Sequence, residues 1–135
     1  MNGKRLIIAT LAVFIAFQAM DYLIHNVILM SAYEATTKLW RPEMMSLMWI
    51  MLLTGIFLSF MFVFIFVKGY EGKGLTEGLR YGLIMGLFMN VPAAFNQYVV
   101  YPLPLSLTLQ WLVYGLTEFI VAGVIAAAVY RPVNR

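Results

Sequence analysis

Cysteine is absent from the 135 residues, and charge is scarce, with only 11% of positions Asp, Glu, Lys or Arg. The first absence excludes disulfides, thiolate nucleophiles and thiolate metal sites. The second excludes an ordinary soluble fold, in which roughly a quarter of residues are charged. With 63% apolar residues and a mean hydropathy of +0.87, there is too little polar surface to cover a water-soluble globule. The bilayer must therefore be the solvent. No basic cluster is large enough to make the net charge of +3 a nucleic-acid footprint, so no nucleic-acid partner is expected. There is one histidine, no serine–base spacing and no cofactor motif. No catalytic residue, metal ligand set or cofactor is assigned, and the balance leans away from an enzyme.

What the chain has instead is four long apolar runs. A membrane span needs about 20 mostly apolar residues. Such runs extend from about Leu6 to Met30, Leu47 to Val67, Leu79 to Val100 and Leu107 to Val129. They predict an all-α fold, a single transmembrane domain built as a four-helix bundle. Strands are set aside because only helices and closed barrels satisfy the backbone in lipid, and barrel strands would alternate in short segments. A loop of 16 residues (Ser31–Ser46), a Gly-rich turn (Lys68–Gly78) and a Pro-containing turn (Tyr101–Ser106) join the spans.

Lys and Arg set the orientation. Lys4, Arg5, Lys68, Lys73, Arg80, Arg131 and Arg135 gather on one side, and only Lys38 and Arg41 on the other. The positive-inside rule then makes both termini cytoplasmic, which for a bacterial protein means the inner membrane. Trp40, Trp49, Tyr98, Tyr101 and Trp111 form an outer aromatic belt, and Tyr70, Tyr81 and Tyr130 an inner one. Lys4-Arg5 before an apolar run also has the look of a signal peptide with Ala19 at its cleavage point. Phe17 at the small-residue position, and the run's continuation to Met30, favour a retained span. The spacing of Arg5 to Asp21 equals that of Arg80 to Asn96, and Ser46–Trp49 resembles Thr108–Trp111, as a duplicated two-helix hairpin would give.

Helices associate in lipid by close packing, which small residues permit. The first span carries Ala9, Ala12, Ala16 and Ala19 at helical spacing, and the third Gly74, Gly78, Gly82 and Gly86. An interior glycine costs about 1 kcal/mol relative to alanine, so this row points to close backbone approach within the monomer or in a homo-oligomer. Gly74 fits the turn as well as the row. The second span has no such stripe and five phenylalanines, and is expected to be the most lipid-exposed.

Ionisable groups at membrane depth are costly and need an explanation. Asp21, His25 and Glu118 are such groups, and Gln18, Asn90, Asn96, Gln97 and Tyr114 lie at comparable heights. On helices rising 1.5 Å per residue, Asp21 and Glu118 meet in the outer half of the bilayer. These residues are expected to line an outward-opening polar pocket between spans one, three and four. Two carboxyls with no Lys or Arg at that depth suit proton exchange, or the binding of a cation or small amine. The alternative reading of each is interhelical hydrogen bonding. The loop segment Leu39–Met45 is expected to lie along the interface as a short amphipathic helix with Pro42 in its first turn.

Asp21-Tyr22-Leu23-Ile24-His25, Leu39-Trp40-Arg41-Pro42 and the Gly-rich third span together resemble the small, uncharacterised four-span membrane-protein families of bacteria. That resemblance covers most of the chain and implies no activity. The chain lacks the signatures expected of small multidrug exporters or fluoride channels. Two functions are expected on these grounds. One is transport of a proton, cation or small amine through the polar pocket. The other is an accessory or assembly role in a larger membrane complex. The partners are the lipid bilayer and either a second copy or another membrane protein.

Overall fold

A computed structural model describes residues 1–131, so that Arg135, counted above among the inner basic residues, lies outside the described part. Four helices are long and apolar enough to cross a membrane, and no strand occurs among the described residues. Helix α1 spans Gly3–Leu23 and runs through a π-helical turn (Ile24–Ile28) into the short α2 (Met30–Ala35). Two 3-10 turns, Thr37–Leu39 and Met44–Leu47, then lead to α3 (Met48–Lys68), followed by α4 (Leu75–Val100) and α5 (Leu105–Val129). The ordered helix of the outer loop thus precedes Leu39 rather than following it. Pro42 lies in a turn between the two 3-10 segments.

α4 begins at Leu75, four residues earlier than its apolar run, and takes in Gly78. The reason is Glu77, whose buried carboxylate accepts the backbone N–H groups of Glu71 at 2.6 Å and Lys73 at 2.8 Å. Those bonds wind the preceding loop around the first turn of the helix, and φ of +74° at Gly72 and at Gly74 lets the backbone make that bend. Glu71 then pairs with Lys73, and with Arg80 at 3.3 Å. Those two cations hold its carboxyl below the usual glutamate range.

α4 and α5 form the tightest pair. A Cβ placed on Gly82 would stand 2.3 Å from the carbonyl oxygen of Phe119, and one on Gly123 2.1 Å from that of Gly78. At Gly78–Gly123 neither residue has a side chain and at Gly82 one lacks it, which permits the close contact that lipid-embedded helices use. α1 packs against α3 and α5 differently, through large side chains. Phe17 sits with its ring 5.3 Å from Phe119 and 6.0 Å from Phe62, and the latter two are 5.5 Å apart. This aromatic triad ties three helices together in the inner half of the bundle, with Leu6, Ala9 and Val13 buried beneath it.

Two packing expectations change as a result. The buried face of α1 is Leu6–Ala9–Val13–Phe17, while Ala12 and Ala16 are half-buried and Ala19 is exposed. Bulky knobs rather than an alanine stripe set that contact. The helix with most bare surface is α4, not α3. The inner half of α3 is buried at Ser59, Phe62, Val63, Phe66 and Val67, whereas α4 buries little beyond the side that meets α5. The two hairpins of the chain are consequently packed by different means, one by glycine and one by phenylalanine.

Candidate functional site

Asp21 lies one helical turn above the core residue Phe17 on α1, and Glu118 immediately precedes the core residue Phe119 on α5. The aromatic triad that joins the two helices therefore also fixes the height at which these carboxyls meet. The two carboxyls are neighbours that interact across the α1–α5 contact. Glu118 is only 8% exposed, and its Oε1 is buried without a hydrogen-bond partner. The Asp21 side chain is 46% exposed, so the pair is closed towards the core and open at one side.

Above it, the π-helical turn widens the helix and presents His25, whose Nε2 is 3.8 Å from Oδ1 of Asp21. Nδ1 of the same ring is 2.5 Å from the hydroxyl of Tyr33 on α2, and the two rings stack with centroids 5.8 Å apart. The indole Nε1 of Trp111 donates to that hydroxyl at 2.8 Å. An indole N–H can only donate, so Tyr33 accepts from it. Its hydroxyl bonds Nδ1 of His25 as donor when the neutral imidazole carries its hydrogen on Nε2, and as acceptor when the hydrogen is on Nδ1. Burial raises the Tyr33 phenol above its ordinary range, which keeps its own proton in place.

Trp40 closes the outer end, its ring 5.7 Å from Tyr33 and 6.2 Å from Trp111, with Leu29, Leu103 and Leu107 buried below. Polar groups thus run in series from the middle of the bundle to the end that carries α2: Glu118, Asp21, His25, Tyr33, Trp111.

The other expected members do not join this series. Asn90 turns to α5, where its side chain lies against Gly115 and its Nδ2 donates to the carbonyl of Gly86 at 2.9 Å. Gln18 faces Gly55 of α3. Asn96 and Gln97 are exposed on the outer part of α4, and Tyr114 is half-buried in the outer apolar cluster. At the outer surface a groove of about 460 Å³ is lined by residues 34–39 together with Pro102 and Pro104, away from Asp21 and Glu118. Tyr33 and Glu77 had not been singled out from the sequence. Tyr33 sits in a loop of mixed polarity, and its partner Trp111 is 78 residues away. Glu77 follows a Gly-Leu-Thr stretch that reads as turn. Among the described residues no group of His, Asp and Glu is arranged to hold a metal ion.

The PUCC protein family matches residues 3–103. The chain belongs to that family. The matched segment contains α1, α3 and α4, together with Asp21, His25 and Tyr33, and stops short of α5 and Glu118. Neither the curated proteins nor the solved structures provide a match.

Proposed function

We propose that this PUCC-family chain is an accessory or assembly subunit of a larger membrane complex, seated in the inner membrane with both termini cytoplasmic. The observation that carries the reading is α4. It is a 26-residue span that rests on α5 through one side, touches α3 through Tyr81 near its first turns, and leaves most of the remainder without a partner from its own chain. Lipid tails can cover Phe88, Val99 and Val100 there, but they offer nothing to the exposed amides of Asn96 and Gln97, which a neighbouring helix can bond. The association of the PUCC family with complex assembly or regulation supports the same role. The test is a photo-crosslinking residue placed at Phe88 in native membranes. A discrete adduct with a different membrane protein is expected. Adducts with lipid alone, or with a second copy of the chain, contradict the reading.

A second reading is favoured by the Asp21–Glu118 pair, an ionisable site at membrane depth with His25 beside it and no Lys or Arg at that height. On that reading the chain carries a proton, a cation or a small amine. Asp21→Asn and Glu118→Gln should each abolish flux in proteoliposomes while leaving the helical content intact. Normal flux in both variants removes transport from consideration.

A further inference from the structure

We infer that Asp21 and Glu118 hold one proton between them and form a proton-binding site that fills from the outer face through His25. The inference deepens the site of the second reading, but it does not require flux.

Two neighbouring carboxylates inside a membrane cannot both be ionised at tolerable cost, because like charges there are neither screened nor solvated. The structure adds a specific deficit. Glu118 is more than nine-tenths buried, and its Oε1 has no donor. The group that faces it from α1 is the Asp21 carboxyl, itself an acceptor when ionised. Asn90, which α4 turns towards α5 at Gly115, gives its amide to Gly86. The charged residues of α3 and α4 (Lys68, Glu77 and Arg80) all lie at the inner ends of those helices. A proton shared by the two carboxyls supplies the missing donor and makes a strong hydrogen bond to the ionised partner. Oε1 is closed to solvent, so nothing larger than a proton reaches it without displacing the packing around Phe119.

The route to the pair is also built. His25 and Asp21 are each nearly half exposed, and Glu118 is not. In the tautomer with hydrogen on Nε2, Tyr33 donates to Nδ1 of His25 and Nε2 stands 3.8 Å from Oδ1 of Asp21. Filling proceeds by concerted shifts. A proton from outer water binds the Tyr33 oxygen, the Tyr33 hydroxyl proton moves to Nδ1, and the Nε2 proton leaves for Oδ1. Tyr33 ends unchanged and the imidazole stays neutral with its hydrogen on Nδ1. Rotation or a reverse transfer resets it. His25 and Tyr33 act on the pair without holding the resident proton.

Infrared spectroscopy of the whole protein in lipid tests this without any transport assay. A carbonyl stretch of a protonated carboxyl is expected at neutral pH, lost in Glu118→Gln and displaced in frequency in Asp21→Asn. Buried Glu118 keeps its proton in the second variant but loses the carboxylate that it bonded, whereas half-exposed Asp21 ionises once Glu118 is an amide. No such band in the unmodified protein across neutral pH overturns the site, as does a band that survives Glu118→Gln or that Asp21→Asn leaves undisplaced. His25→Gln should keep the band but slow its shift on transfer to deuterated water. An unchanged exchange rate overturns the route. Should the band behave as expected while flux is absent, transport fails and the proton site stands.

Discussion

At Glu77 a single carboxylate takes up two backbone N–H groups of the loop before α4, and it is itself buried. Removing an acceptor from buried donors costs about 1–3 kcal/mol per group left unpaired. Glu77→Ala should therefore lower the midpoint of thermal unfolding in detergent clearly, and Glu77→Gln, which keeps one acceptor oxygen, by less. Equal midpoints for the two variants would show that the carboxylate does not organise the loop. Such a role was not legible in the sequence because a glutamate between glycines looks like solvent-exposed turn. Only the fold reveals that the loop backbone turns back on it. The depth of Asp21 and Glu118 was legible, because a fixed rise per residue converts sequence position into height. Asn96 and Gln97 stand at suitable heights too, but height says nothing of the direction a residue faces, and contacts with neighbouring helices decide that.

Among the elements, the α4–α5 hairpin depends on glycine. A methyl at Gly82 would meet the Phe119 carbonyl at 2.3 Å, and backbone at that distance cannot yield without separating the helices. Overpacking of this kind costs typically about 1–3 kcal/mol. Gly82→Ala should destabilise the hairpin by at least that amount, whereas Gly3→Ala, with open space around it, should be silent. A comparison of unfolding in detergent decides it, and tolerance at Gly82 would contradict the close approach. The inner loop adds a pH dependence. Lys73 and Arg80 depress the Glu71 carboxyl below its ordinary value of 4.5, so its contribution is fully present above that pH and fades as pH falls through the lowered value. Proteolysis of the 69–74 loop should accelerate only below about pH 4.5, and Glu71→Gln should remove that acid dependence. The glycine row was readable from its spacing. The packed face of α1 was not, since alanines at helical spacing and the bulky Leu6–Val13–Phe17 series share one helix, and the neighbouring phenylalanines select the second.

For the molecule as a whole, four continuous apolar runs made the spans plain, and their ends moved by only a few residues. The distribution of Lys and Arg predicts the orientation. Because the chain has no cysteine, single-cysteine variants report topology cleanly. Lys38→Cys should react with a membrane-impermeant maleimide on intact cells, and Lys73→Cys only after the membrane is opened. The opposite pattern would invert the protein. What the spans surround was less legible. Exposure of α4 is a property of assembly, and a single chain encodes it only as surface that its own helices leave uncovered. The most direct test of the accessory role is native mass spectrometry of the protein gently extracted from its own membranes. The account predicts a stoichiometric complex with at least one different membrane protein. A partner-free monomer or homodimer would contradict it and turn attention to the Asp21–Glu118 pair as the site of function.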